Sequence, residues 1–229
     1  MIAADSGTTY TKIISTKNSV PCLTKFLAEE KNNRFYYVIP SSKIREIFEK
    51  NNIVADKSCG HMANSTENEI IALANGFKKS DYNWQNSTIL DLGSRDAKWV
   101  RFKNGKFKDM DWNTSCASST GATIEMLLKF YDVNASVLTY TNEKYTVNCG
   151  IFGLEKIMDD ISKGTSAETA ISKFIHGIAF NAWNFAKKPE KLYLSGGFCN
   201  NKCFVDSLKH YCDVELTGRF MLCEGLLDE

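Results

Sequence analysis

Two short segments of this 229-residue chain carry chemistry-bearing residues at matched spacing. The first reads Asp5-Ser6-Gly7-Thr8-Thr9-Tyr10-Thr11-Lys12 and the second Asp91-Leu92-Gly93-Ser94-Arg95-Asp96-Ala97-Lys98. In each, an aspartate closes an apolar stretch, a glycine follows two residues later, and a lysine stands seven residues beyond the aspartate. Glycine lets a turn approach an anion closely, and successive backbone amides form a nest for phosphate oxygens. A carboxylate at a strand end suits Mg²⁺, which keeps several of its waters and is held through them. Taken singly, either segment is also explained by a plain hairpin turn with a surface aspartate. Their recurrence 86 residues apart, in the same strand–turn–strand context, favours a duplicated nucleotide-binding half. A third turn, Ser195-Gly196-Gly197, follows the apolar run Leu192-Tyr193-Leu194 and would let backbone lie flat against an adenine or ribose.

Such turns need strands to aim them and helices to cover the strands. Ile13-Ile14 continues the first turn into a second strand, and Val20 to Leu27 reads as a third. Ser41 to Asn51 has helical spacing in Ile44, Ile47 and Phe48. Thr66-Glu67-Asn68-Glu69 reads as a capping box opening a helix that Gly76 would stop. Thr88 to Leu92 is the strand before the second turn, and Asn104-Gly105 marks a hairpin after it. Helical patterns follow at Ile124 to Tyr131, Phe152 to Ser162, Ser166 to Ala186 and Asn201 to Tyr211. The fold expected is α/β with two lobes, each a twisted mixed sheet flanked by helices. Residues 1–86 would form the N-terminal lobe with the first phosphate loop, and 87–229 the C-terminal lobe with the second.

The composition narrows the function classes. Hydrophobic content of 43% and charged content of 24% describe a folded globular chain. A net charge of +1 gives no general attraction to nucleic acid. No apolar run reaches membrane-spanning length, and the first residues show no basic or apolar leader, so a cytoplasmic protein is expected. Eight cysteines in that setting do not suggest disulfides, and the absence of a CxxC pair disfavours a zinc ribbon. Most, Cys199 and Cys203 included, are expected to pack as small hydrophobes. His61, His176 and His210 lack partners at metal-ligand spacing.

The order of these motifs resembles a known family. The two aspartate turns, Asn113-Thr114-Ser115-Cys116-Ala117-Ser118-Ser119-Thr120-Gly121, Cys149 before a helix, and Leu194-Ser195-Gly196-Gly197-Phe198-Cys199-Asn200-Asn201 are similar to the activator ATPases of 2-hydroxyacyl-CoA dehydratases. The ATPase subunits of benzoyl-CoA reductase belong with them, in the actin, sugar-kinase and heat-shock ATPase superfamily. The resemblance runs from Ala3 to Gly225. It implies that Ser6, Gly7, Thr8 and Thr9 form the first phosphate loop with Lys12 beyond, and Asp91, Gly93 and Ser94 the second. It implies that Gly196 and Gly197 line an adenosine site for ATP or ADP, with Asp5 and Asp91 organising Mg²⁺ through water. Cys116 and Cys149 match the two cysteines that each subunit of a homodimer gives to one shared [4Fe–4S] cluster. Four thiolates are the usual complement of such a cluster. The implied partners are a dehydratase or reductase that receives an electron, and a donor such as ferredoxin or flavodoxin.

The chain departs from the family pattern in places. Where the second loop usually reads DIGGQD, Ser94 and Arg95 replace a glycine and the glutamine, and Arg95 could bear directly on phosphate charge. Ser118 and Ser119 replace the Ala and Gly of AAGTG, and Glu69 to Gly76 lacks the cysteine and histidine of EITCHAKG. Two other readings share the nucleotide turns: a small-molecule kinase, which has no use for Cys116 and Cys149, and a non-catalytic nucleotide-sensing subunit.

Overall fold

The computed structural model of the protein describes residues 1–16, 18–61, 65–113, 121–147 and 150–228, with backbone alone at 150–152. Its contacts divide the chain into two compact units, Met1–Gln85 with Arg219–Glu229, and Asn86–Gly218.

In the first unit, β1 (Ile2–Ser6) and β2 (Tyr10–Ser15) form an antiparallel pair across the first aspartate turn. β3 (Leu27–Lys31) and β4 (Arg34–Pro40) extend the sheet beyond β2. After α1 (Ser41–Lys50) the chain crosses to the other side of β1, where β5 (Lys57–Gly60) pairs with it in parallel, giving the order β3-β4-β2-β1-β5. Ala4, Ile13, Leu23, Tyr37 and Ile39 pack with Ile44 and Phe48 of α1, the helical spacing read from the sequence. α2 (Glu69–Lys79) follows β5.

The second unit repeats the frame. β6 (Thr88–Leu92) and β7 (Ala97–Lys103) are antiparallel across the second aspartate turn, and the Asn104-Gly105 hairpin adds β8 (Lys106–Asn113). α3 (Gly121–Phe130), α4 (Gly150–Ser162) and α5 (Ala167–Phe185) precede β9 (Lys191–Gly196), which lies parallel to β6. α6 (Lys202–Lys209) and the parallel strand β10 (Asp213–Gly218) complete the order β10-β9-β6-β7-β8. One face of α5, with Phe174, Ile175, Ile178 and Ala182, is buried in this unit's core beside Leu90, Trp99 and Leu194. Among the described residues no helix is long and apolar enough to cross a membrane.

Four expectations need correction. Val20 to Leu27 is mostly a 3-10 turn, Pro21–Phe26, rather than a strand. Pro21 fixes φ and supplies no ladder N–H, and Leu23 turns into the core. The cap of α2 is Asn68, whose side chain accepts from Ile70 N at 2.8 Å, two residues later than the expected box. Gly76 does not end that helix. It lies inside it, where a Cβ would come within 2.0 Å of Met221 O. The contact explains the last correction. The sequence reading assigned 219–229 to the C-terminal lobe, but α7 (Met221–Leu226) packs on α2 in the first unit. Gly225 completes the crossing from the other side, its backbone directly against Ala72 O, so the two helices meet without intervening side chains.

Candidate functional site

In the first unit, strand pairing sets Asp5 opposite Lys12, and the lysine Nζ stands 2.8 Å from Asp5 Oδ2. The matched seven-residue spacing is therefore the reach of a hairpin that folds back on itself. Both groups are largely buried, at 7% and 16% exposure, where an unpaired charge would be costly. Gly7 leaves space that Lys12 uses, since a Cβ there would stand 3.3 Å from Nζ. The turn is held from behind by Ser41 at the start of α1. Its Oγ donates to Gly7 O at 2.7 Å and its N donates to Thr9 O at 2.9 Å. Ser6 is buried beside Thr11, whereas Thr8 is exposed, with its hydroxyl 3.3 Å from His61 Nε2.

In the second unit Asp91 pairs across the strands with Lys98, but the lysine leans elsewhere. Lys98 Nζ is 3.8 Å from Asp91 Oδ1 and 2.9 Å from Asp96 Oδ2. Trp112 Nε1 donates to the same Asp96 oxygen at 2.8 Å, and the Lys98 ammonium sits 5.4 Å from the Trp112 ring centroid. Asp91 takes its short bond from Ser195, whose Oγ–H donates to Oδ2 at 2.8 Å. Gly93 N donates to Asp96 O, closing the turn. Ser94 lies in the turn, half-buried, and its carbonyl accepts from Ala122 N at 3.0 Å, while Gly93 O accepts from Gly121 N at 3.4 Å. The second loop is thus bonded to the first residues of α3. Arg95 is exposed at the tip. Gly196 has φ +91°, and a Cβ there would lie 2.4 Å from Leu92 O, so both conformation and space require glycine; Gly197 opens the 3-10 turn after it.

Sequence reasoning missed a fourth turn. Cys59-Gly60 ends β5 as Ser195-Gly196 ends β9: Ser6 pairs with Gly60, and Leu92 with Gly196. Gly60 has φ +84°, with the same 2.4 Å approach to a carbonyl, that of Ser6. The signal was a small residue followed by glycine after the short run Lys57-Ser58, too brief to read as a strand. Lys98, Asp96 and Ser41 were also not assigned to the site.

Cys116 and Cys149 lie outside the described residues. Among the described residues no cysteine is joined in a disulfide. Burial raises the thiols of Cys203, Cys212 (to about 11) and Cys223, so these stay protonated at neutral pH. Among the described residues no three His, Cys, Asp or Glu side chains gather to hold a metal ion.

Two mixed sheets, each built on a hairpin whose first strand carries an aspartate beside its last residue, form a two-unit α/β fold that solved structures share. The activator of 2-hydroxyisocaproyl-CoA dehydratase from Clostridium difficile, solved with bound ADPNP, has this fold. Its TM-score is 0.71 at 16% identity, over 99% of this chain and 92% of that one. Component A of (R)-2-hydroxyglutaryl-CoA dehydratase from Acidaminococcus fermentans gives 0.67 at 17% identity, over 98% and 95%. No protein-family model matches the chain. In sequence, 94% of the chain aligns at 22% identity with 89% of the (R)-2-hydroxyglutaryl-CoA dehydratase activating ATPase of Acidaminococcus fermentans. Over about half of its length the chain also aligns, at 24% and 21% identity, with the activator of lactoyl-CoA dehydratase of Anaerotignum propionicum and the 2-hydroxyisocaproyl-CoA dehydratase activator of Clostridioides difficile.

Proposed function

We propose that this chain hydrolyses ATP to drive a low-potential electron into a dehydratase or related reductase acting on an acyl-CoA. The observation that carries the reading is the pair of carboxylate–lysine turns, one per unit, in a chain similar to a dehydratase-activating ATPase along nearly its whole length. Ser6 to Thr9 would hold phosphate oxygens through turn amides and hydroxyls, with Lys12 supplying positive charge beside Gly7. Asp5 and Asp91 would anchor the waters of Mg²⁺. Gly93, Ser94 and Arg95 would meet the phosphates from the second loop, and Gly196 and Gly197 the adenosine. Positioning and charge stabilisation are what phosphoryl transfer chiefly asks of a protein.

Cys116 and Cys149 would hold a [4Fe–4S] cluster, with two thiolates from each chain of a homodimer completing the set. When bound, the cluster supplies the one-electron carrier. Thiolates are the donors such a cluster takes, and in the sequence Cys149 immediately precedes Gly150, the first residue of α4. A helix N-terminus favours thiolate over thiol. The second loop offers a mechanical route toward Cys116. Gly93 and Ser94 carbonyls receive the N–H groups of Gly121 and Ala122, five and six residues beyond it. A change at the second loop on hydrolysis would therefore pull on the start of α3. Ferredoxin or flavodoxin would be the electron donor, in the cytoplasm.

Anaerobic purification with iron and sulfide analysis tests this. We expect the visible absorption of a thiolate-bound cluster, roughly four irons per pair of chains, and slow ATP hydrolysis. Cys116→Ala and Cys149→Ala should lose the iron and electron delivery. An iron-free monomer that still hydrolyses ATP would end the electron-transfer reading, and a protein that binds no ATP would end the whole proposal.

A further inference from the structure

Among the described residues, each unit has a buried hydrogen-bond donor beside its aspartate, at matched positions. β5 and β9 both run parallel to the strand that carries the carboxylate, and the register sets Cys59 beside Asp5 and Ser195 beside Asp91. Neither donor has any exposed surface. Each is followed by the left-handed glycine that presses on the neighbouring strand, Gly60 or Gly196, so neither can slide along the sheet.

The bonding is inverted between the units. Asp5 has its lysine close, at 2.8 Å, and a weak donor far, the Cys59 thiol at 3.8 Å from Oδ1. Asp91 has a strong donor close, the Ser195 hydroxyl at 2.8 Å, and its lysine far, at 3.8 Å. Lys98 is drawn aside by Asp96, which Trp112 holds in place. A hydroxyl bound to a carboxylate orients it without cancelling its charge, whereas a lysine in contact offsets that charge.

We infer that Ser195 is a positioning residue that holds the Asp91 carboxylate off Lys98, leaving Asp91 as the principal anchor for the hydrated cation. Cys59 is its weaker counterpart, and Asp5 serves chiefly to place the Lys12 ammonium at the first turn. The inference rests on the Mg²⁺-nucleotide reading proposed above, and divides between two aspartates a task that the sequence assigned to both. Loss of the hydroxyl would let Asp91 rotate onto Lys98, which already stands within one further ångström or so of ion-pair contact.

The test uses the full chain with Ser195→Ala and Ser195→Cys, the latter placing in the second unit the donor found in the first. Binding of ADP is followed by calorimetry across a Mg²⁺ titration and without Mg²⁺, and the Ser195→Ala protein is crystallised. The expected result is a roughly tenfold rise in the Mg²⁺ concentration for half-maximal binding in Ser195→Ala, the effect of one hydrogen bond to a buried charge. Ser195→Cys should fall between it and the wild type, and Mg²⁺-free ADP affinity should hold in both. In the crystal the Asp91–Lys98 separation should close from 3.8 Å to direct contact. An unmoved carboxylate in Ser195→Ala, or an unchanged Mg²⁺ dependence in a wild type that has one, would overturn the inference. A wild-type protein indifferent to Mg²⁺ would instead sink the nucleotide reading, while the crystal structure still decides whether Ser195 positions Asp91.

Discussion

The two units share a frame and finish it differently. The shared part is small: a hairpin with aspartate beside the end of its first strand and lysine paired opposite, one parallel strand, and a left-handed glycine closing that strand against the first. Beyond it the units diverge. The second continues its sheet past β9 with β10, whereas in the first the sheet stops at the four-residue β5. There the chain's last elements take over, with α7 returning to cross α2 at Gly76 and Gly225. Arg34 and Tyr36 on β4 then bond Glu224 at 2.7 and 2.6 Å, fixing the returning helix to the sheet. Holding a carboxylate at a strand end thus needs only the shared frame. The surrounding layers differ because they solve a separate problem, covering the sheet.

The most damaging way to break this comparison is at the crossing. Gly225→Ala places a methyl against the Ala72 carbonyl, and α7 cannot stay where it is. The expected cost is about 3–5 kcal/mol. Hydrogen exchange should show the loss in β1 and β5 while β6 and β9 keep their protection; equal loss in both units would mean that the tail does not belong to the first alone. Next come Gly60→Ala and Gly196→Ala. Each adds a Cβ at positive φ and 2.4 Å from a carbonyl, so each should cost about 2–4 kcal/mol in urea unfolding. Similar penalties would confirm that the two turns are equivalent, and a harmless Gly60→Ala would break the match. A smaller and functional contrast lies in the carboxylates. Asp91→Asn and Asp5→Asn should both weaken Mg²⁺-dependent nucleotide binding, within roughly 10–100-fold, with Asp91→Asn the larger because Asp5 is already offset by Lys12. Equal effects in a Mg²⁺ titration would remove the division between them.

What the sequence disclosed follows from the range of the interactions involved. The two aspartate turns, the Asn104-Gly105 hairpin and the Ser166 cap of α5 are local, fixed by residues a few positions apart, and they were legible. Cys59-Gly60 was not, because its meaning lies in pairing with Ser6, more than fifty residues away, and its strand is too short to show alternation. Gly76 misled for the same reason: a helix-stopping residue by local propensity is here the close-approach point of a helix that arrives from residue 221. β4, RFYYVIP, carries the aromatic and β-branched residues of a strand and was passed over, whereas β10, DVELTG, is mixed and owes its place in the sheet to its neighbours. Among the candidate site residues, those named for backbone shape stand at the turns expected. The side-chain partners that set their electrostatics, Ser195, Asp96 and Trp112, depend on which strands become neighbours.

The mildest contrast is in acid. The second unit buries a histidine in α5, whereas His61 of the first unit is exposed. His176 sits among groups from three directions: Nε2 lies 2.7 Å from the Tyr211 hydroxyl, Nδ1 lies 3.3 Å from Glu143 O, and Lys144 and His210 add positive charge nearby. The geometry suits a neutral ring that donates from Nδ1 to the carbonyl and accepts the tyrosine proton at Nε2. Burial, reinforced by Lys144 and His210, lowers its pKa below the ordinary histidine value, although the carbonyl bonds oppose this. The unfolded chain therefore binds a proton that the folded chain resists. The stabilisation is complete above the unfolded value, about pH 6.5, and is lost as the pH falls below it. Protection of the 143–147 segment and of α5 should accordingly weaken as the pH falls below about 6.5, with β1 and β2 of the first unit changing less. His176→Gln should flatten that dependence in the second unit, since glutamine keeps a donor and an acceptor but does not titrate. If the slope survives the substitution, another group carries it and this difference between the units falls.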